Sequence, residues 1–478
     1  MEELLNHVVS VGTSEGAEYV EARYHRVAES YIVMKYDKVI SVGKSVSEGV
    51  GVRVLVNGSL GFASTNILSR EALTKIVKRA IEKARALAAQ YREPIELAHM
   101  KPREAKYSAP MKKSFDSMSL KDKIVLFKEV WSEARNVLRK SRMQAFFIEY
   151  IESSEEKLLV TSEGVKVESY VPRVSIYGNF VINAPEKGTM QRFFERGGSG
   201  GLELLEKWNI KERVVTEAKI LEKVLLEGKS PPKEKVDVVI GSEVVGLIVH
   251  ESCGHPSEAD RILGREAAQA GESFIKKDMI GKERIGNEIV NVIDDPTIPG
   301  SYGYYLYDDE GIKARPKYLY KNGIINELLH NRWTARMFGV VSNGSARAKD
   351  YTSEPIIRMS NTYFKPGDMS FEELIEDIKL GVYIKSYMEW NIDDLRWSQR
   401  YVGLESYLIE KGEIRGYVKY PVLEITTESF YNSVDAADRS LEFHAGTCGK
   451  GEPAQGVPVW LGGPNVRLRS IVLGVAPY

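Results

Sequence analysis

Residues 236–256 read VDVVIGSEVVGLIVHESCGHP, and the reading of this stretch decides the C-terminal half of the chain. Val236 to Ile240 is apolar apart from Asp237 and predicts a largely buried strand. Gly241-Ser242 predicts a turn into an apolar helix over 243–251, with Ser242 as its cap and Pro256 limiting its extension. At the end of that helix stands His250-Glu251-Ser252-Cys253-Gly254-His255. In a regular α-helix, residues five apart lie about 140° apart around the axis, so two imidazoles at i and i+5 do not face one ion. The pattern therefore predicts a helix that is irregular between Cys253 and Pro256, either as a π-bulge or as an unwinding at Gly254. A regular helix through His255 would remove it as a ligand beside His250.

One histidine on an apolar helix is usually a core residue. Two histidines flanking a glutamate, in a chain with seven histidines, point to a metal centre instead. In H-E-x-x-H hydrolases the glutamate after the first histidine is the base and not a ligand, and it takes a proton from water activated by zinc. Glu251 occupies that place. Hydrolysis needs an open coordination position, so three protein ligands are expected. The candidates for the third are Cys253, Cys448, His444, Glu258 and Asp260. Cys448 stands in Gly446-Thr447-Cys448-Gly449-Lys450-Gly451, read as a flexible glycine loop, whereas a cysteine inside a helix often simply packs. Nitrogen and sulfur ligands beside a hydrolytic glutamate make zinc the expected metal.

Outward from this stretch the chain mixes helices and strands, which gives an α+β fold class. A strand is expected near 17–27. Asn57-Gly58 marks a hairpin, and a helix near 70–89 is capped by Ser69. Residues 90–115 are polar and Pro-containing and are read as a linker. A helix at about 120–141 is capped by Ser119, and strands follow around 144–151, 157–168 and 172–183. Arg196 to Gly201 is glycine-rich but lacks the lysine of a phosphate loop, so it is read as a flexible turn. A charged helix over roughly 203–228 precedes a boundary at Ser230-Pro231-Pro232. Beyond it, Asn322-Gly323 marks another hairpin, and Ser370 to Glu373 forms a capping box for a short helix that stops at Gly381. Strands recur through residue 427 and near 466–474. The expected organisation is an N-terminal α+β domain over 1–95, a middle α+β domain over 115–230, and a helix-poor, largely antiparallel domain over 233–478 that carries the metal-site helix.

Composition narrows the function. A net charge of −1 leaves no basic footprint for nucleic acid. Two cysteines form no disulfide framework and fit a reducing compartment. No signal peptide or membrane span is visible, so a cytoplasmic location with no membrane partner is expected.

Five segments carry a family resemblance: HESCGHPSEAD (250–260), GSYGYYLYDDEG (300–311), RMSNTYFKPGD (358–368), GVYIK (381–385) and CGKG (448–451). On these the chain resembles the TldD/PmbA metalloproteases, specifically the motif-bearing TldD-like branch. The resemblance implies a zinc site of His250, His255 and Cys448 with Glu251 catalytic, and so selects Cys448 among the open candidates. It implies peptides or unfolded polypeptide as substrate, and a homodimer or a heterodimer with a related subunit. A zinc-holding, peptide-binding subunit without its own activity is the competing function. The chain departs from the family where a glycine-rich stretch is usual: 386–407 reads SYMEWNIDDLRWSQRYVGLESY, bulky and charged. CGKG likewise continues as EPAQGVPV. Both departures bear on substrate preference rather than on the metal site. Arg358 and Tyr302 are candidate substrate contacts, His444 a candidate neighbour of the metal ligands, and Asp308 to Gly311 a turn.

Overall fold

A computed structural model of the protein describes residues 1–90, 93–266 and 271–476. The first half is organised by very long strands. β1 (Tyr19–Lys35) pairs antiparallel with β2 (Lys38–Val56), and Asn57-Gly58 returns the chain into β3 (Ser59–Thr65). Both turn residues lie at positive φ, as a two-residue hairpin of this type requires. The segment expected to be a linker contains β4 (Arg103–Ser108), which pairs parallel with β6 (Val165–Ala184). REAKYS is short and polar on its exposed face, so its period-two pattern is easily passed over. β5 (Arg142–Thr161) runs unbroken through IESSEEK, where a gap between two strands is expected. Those polar residues pair with β1 on one side and β6 on the other. β7 (Gly188–Ser199) completes the sheet, in the order β3-β2-β1-β5-β6-β4, with β7 also on β6.

The segments 1–95 and 115–230 therefore share one sheet, joined through β1 and β5. They keep separate hydrophobic clusters on it. α1 (Glu2–Ser14) and α2 (Arg70–Ala88) bury Leu5, Leu73, Val77 and Ala80 against β1–β3. α3 (Leu120–Asn136) and α5 (Ile210–Glu227) bury Phe127, Trp131, Val214 and Leu221 against β5 and β6. Ser69 and Ser119 cap α2 and α3 by accepting from the amides of Ala72 and Asp122. α3 ends before the expected residue 141 because the amides of Arg139, Lys140 and Ser141 turn to the Glu222 carboxylate. The charged helix expected over 203–228 is divided into α4 (Glu203–Trp208) and α5 by Asn209, which sits at φ 43°.

In the second half, β8 (Val236–Ile240) lies inside a six-stranded sheet, parallel to Leu380–Ile384 and antiparallel to Val466–Ile471. The helix that follows it, α6 (Ser242–Val249), packs on a second six-stranded sheet that ends in Gln455–Gly463 and then Glu442–Lys450. α6 is buried almost all round, which explains its uniformly apolar sequence. Gly246 permits the close approach: a Cβ there would lie 2.6 Å from the Gly462 nitrogen. Among the described residues the domain is largely antiparallel, with two parallel strand pairs, β8 with Leu380–Ile384 and Asn361–Phe364 with Gln455–Gly463. The Ser370 capping box is present, but its helix covers only Phe371–Ile375, and Gly381 lies inside the next strand. No helix among the described residues is long and apolar enough to cross a membrane.

His330, on the segment before Arg332–Phe338, illustrates how burial couples this fold to pH. Burial, with Arg315 nearby, pushes its imidazole down to about 4. An unfolded chain takes up that proton near pH ~6.5. The stability carried by the neutral ring is thus present above pH ~6.5 and lost as pH falls through about 4, a contribution of up to ~3 kcal/mol. His330→Asn is expected to flatten the fall in melting temperature between those two pH values. An unchanged slope would show that His330 does not contribute to acid sensitivity.

Candidate metal centre

The expected irregularity lies at the end of α6. His250–Gly254 form a π turn, closed by a bond from the His255 amide to the His250 carbonyl, and His255–Ser257 continue as a 3-10 turn. Local chemistry explains the widening. Pro256 has no amide to extend the α ladder, and the Ser252 hydroxyl donates to the Ile248 carbonyl at 2.6 Å, a back-bond that bends helices. A Cβ at Gly254 would meet the Met359 sulfur at 1.9 Å, so the turn packs this closely against Met359 because residue 254 is glycine. The outcome is that the imidazoles of His250 and His255 stand 5.0 Å apart between ring centres.

The third donor comes from Glu442–Lys450. The residues expected to form a flexible glycine loop are instead in this strand, and Cys448 pairs there with Val457. Cys448 Sγ lies 3.6 Å from His255 Nε2, and one ligand atom each from His250, His255 and Cys448 all fall within 4.8 Å of one another. All three are buried. Burial pushes both imidazoles down. Burial also works to raise the Cys448 thiol, but His255 and Arg358 outweigh it and bring the thiol down to about 7. His250 Nδ1 is buried without a hydrogen-bond partner among the described residues. Two imidazoles and a thiol, buried together with an orphaned nitrogen among them, fit a metal that takes nitrogen and sulfur ligands.

His255 is oriented from behind. Its Nδ1 bonds the Glu258 carboxylate at 3.0 Å, which directs Nε2 toward Cys448. Glu258 is fully buried; burial opposes its charge, yet Lys450, Arg261 and His255 hold its carboxyl well below the usual range. Lys450 also pairs with Asp260 at 2.7 Å. Glu258 and Asp260, both open as ligands in the sequence, thus stand outside the three-donor group and support it.

Chain-wide comparison accords with this geometry. Residues 233–474 match the family model of the PmbA/TldA metallopeptidase C-terminal domain, 20–84 that of domain 1, and 113–222 that of the central domain. Metalloprotease MJ0996 of Methanocaldococcus jannaschii is 33% identical over 453 residues, covering 95% of this chain and 96% of that protein. The chain belongs to the PmbA/TldD family of metallopeptidases. A zinc metalloprotease TldD homolog of Saccharolobus solfataricus is 27% identical, with coverage of 96% and 97%. Among solved structures, TldE from Thermococcus kodakarensis superposes with a TM-score of 0.74 at 16% identity, covering 98% of this chain and all of that one, so the two share the PmbA/TldD fold.

The other sequence candidates fall at varied distances from this PmbA/TldD centre. Cys253 is fully buried in the core, and burial pushes its thiol well up. Ser242 does not cap α6; Gly241 holds the cap position, and the Ser242 hydroxyl bonds the His444 ring at 2.9 Å. His444 reaches the same cleft as the donors, with its imidazole pushed by burial and by Arg213 and Arg192 down to about 3. Arg358 is fully buried behind the cleft and donates to the carbonyls of Cys448 and Gln455. Tyr302 packs its ring over Gly197 and lines a different depression. That contact also accounts for the glycine at 197. Far from forming a flexible turn, Arg196–Ser199 end β7, where the C-terminal half packs against it and Trp460 donates to the Gly197 carbonyl at 2.7 Å. Asp308 does form the expected turn, accepting from the amides of Glu310 and Ile312.

The donors open onto a cleft of about 410 Å³ between Glu442–Lys450, β7 and the strand Tyr387–Ile392. Three of its residues were not singled out from sequence. Arg396 pairs directly with Glu251. Glu195 of β7 bonds Thr447, and burial pushes its carboxyl up to about 7. Arg192 holds Glu243 through two bonds. The only signal for Arg396 was that its segment, 386–407, is bulky and charged where the family is glycine-rich.

Proposed function

We propose that this PmbA/TldD protein is a zinc-dependent peptidase acting on peptides or unfolded segments, with His250, His255 and Cys448 holding the zinc and Glu251 as general base. One observation carries the reading: two imidazoles and a thiol converge at the wall of an open cleft, and the carboxylate adjoining the first ligand faces the same cleft. Zinc bound there supplies a Lewis acid that polarises the scissile carbonyl and lowers the pKa of water. Glu251 takes a proton from the attacking water and passes it to the leaving amine. Glu258 fixes the tautomer and orientation of His255. Glu442–Lys450 is the last strand of its sheet and runs along the cleft, so an extended substrate can add to it by main-chain bonds with tolerance for sequence.

Elemental analysis of the purified protein beside hydrolysis of an unstructured peptide tests the reading. About one zinc per chain is expected, with hydrolysis lost to a chelator and restored by zinc. Zinc without hydrolysis favours the peptide-binding subunit, and no zinc after supplementation would refute the reading. Glu258→Gln is expected to weaken zinc binding by about 10–100-fold in a competition titration with a chelator. Unchanged affinity would show that His255 is held without it.

A further inference from the structure

We infer that Tyr177, Phe193 and Trp390 form an aromatic subsite, so that the cleft favours peptides with an aromatic side chain within about three residues of the scissile bond. The inference deepens the peptidase reading and rests on it.

Exposure is the first argument. The chain has 25 tyrosines, 14 phenylalanines and six tryptophans. Among the described residues only three aromatic residues are exposed: Tyr177 at 37%, Phe193 at 39% and Trp390 at 37%. All three line the cleft that holds His250, His255 and Cys448. Single exposed apolar residues scattered over a surface are ordinary. Exposed aromatic rings confined to one cleft mark the place where a ligand covers them, because large rings dominate the energetics of contact surfaces.

Placement gives the range. Tyr177 on β6 lies opposite Glu195 on β7, and Phe193 follows Glu195 on the same face of β7. Residues paired in this way stand about 5 Å apart. Glu195 in turn bonds Thr447, which adjoins the donor Cys448. A substrate extended along Glu442–Lys450 advances about 3.3 Å per residue, so three residues carry it on the order of 10 Å from the scissile carbonyl. That span covers the step from Cys448 through Thr447 and Glu195 to Tyr177.

The chemistry of the walls selects the side chain. The Tyr177 and Phe193 rings are tilted with centres 6.4 Å apart, and Phe147 backs Tyr177 at 6.1 Å. Trp390 comes from a separate element, Tyr387–Ile392, and its ring meets no other aromatic ring among the described residues. A further ring can add to such surfaces in tilted or offset contact, which contributes beyond the area buried. A charged side chain has less to gain. Arg192 is bonded to Glu243, and Arg396 is paired with Glu251, so these charges are matched within the cleft.

The test uses zinc-loaded, full-length protein and internally quenched, unstructured peptides of one host sequence. Phe, Leu or Ala is placed in turn at each position flanking the cleavage site. At one position or more, kcat/KM is expected to be about ten-fold or more higher for Phe than for Ala, with Leu between them. Trp390→Ala, and separately Tyr177→Ala with Phe193→Ala, should bring the Phe:Ala ratio toward one, and Trp390→Phe should keep part of it. The side chains are exposed, so the variants are expected to melt close to wild type. The wild-type ratio alone carries the test if a variant fails to fold. Equal kcat/KM for Phe and Ala at every position, Leu matching Phe, or a ratio unchanged in both alanine variants would overturn the inference. An oligomer that these variants dissociate while the ratio stays unchanged would assign the rings to a contact between copies instead. If wild-type protein cleaves none of the peptides, the peptidase reading fails, and calorimetric titration with the same peptides decides the subsite. Tighter binding of the Phe peptide would leave it standing, and equal binding would remove it as well.

Discussion

Glu251→Gln protein is expected to purify with its metal and to hydrolyse peptides ~10²–10⁴-fold more slowly than wild type, the range that a positioned general base contributes. The two halves of this expectation have separate causes. Metal is retained because Glu251 is not among the three donors that converge. Turnover falls because an amide cannot accept the proton that a carboxylate takes. The fold is expected to survive: glutamine has nearly the same volume, and its carbonyl still accepts from Arg396, which otherwise pairs with Glu251. Parallel metal analysis, melting curves and single-turnover assays separate these contributions. Turnover within a few-fold of wild type would remove Glu251 from the base role. Loss of metal would move it into the ligand set.

Cys448→Ala is expected to lose both metal and activity, with a fall in affinity larger than the ~10–100-fold that removal of an outer-shell partner costs. His255→Ala is expected to do the same. The cysteine variant is the cleaner test. Cys448 lies within a paired strand, where alanine leaves the ladder with Val457 intact, so loss of metal cannot be ascribed to unfolding. His255→Ala also deprives the buried Glu258 of one of its partners, and part of its effect is structural. Metal content after gel filtration is the readout. Stoichiometric zinc with full activity in Cys448→Ala would reopen the third position to Cys253, His444, Glu258 or Asp260.

The site was legible in part because half of it is local. VDVVIGSEVVGLIV identifies a strand and a buried helix through two apolar runs separated by Gly241-Ser242, and both lie close to where they are expected. The i, i+5 spacing of His250 and His255, read as a ligand pair, predicted an irregular helix end, either a π-bulge or an unwinding at Gly254, and Ser252, Gly254 and Pro256 supply the local chemistry for the π turn. The same holds for the Asn57-Gly58 and Asn322-Gly323 turns and for the serine caps at 69, 119 and 370, each of which depends on a few adjacent residues.

What failed to read correctly depended on neighbours distant in sequence. IESSEEK looks like a break between strands, and only pairing on both edges makes it the middle of β5. The 196–201 segment resembles a loose turn until its start is paired in β7 and Tyr302 and Trp460 pack on Gly197. Ser242 is in place to cap a helix but bonds His444, 202 residues away.

The sequence by itself determined the strand–helix unit, its irregular end and the pair of histidines with the glutamate between them, because backbone propensity, apolar periodicity and missing amides act within a few residues. Only the tertiary structure decided that Cys448 reaches His255 across 193 positions, that Glu258 bonds the far ring nitrogen of His255, and that Arg396 meets Glu251. Those contacts are set by which strand lies beside which helix once the core has closed, and no local pattern encodes that adjacency.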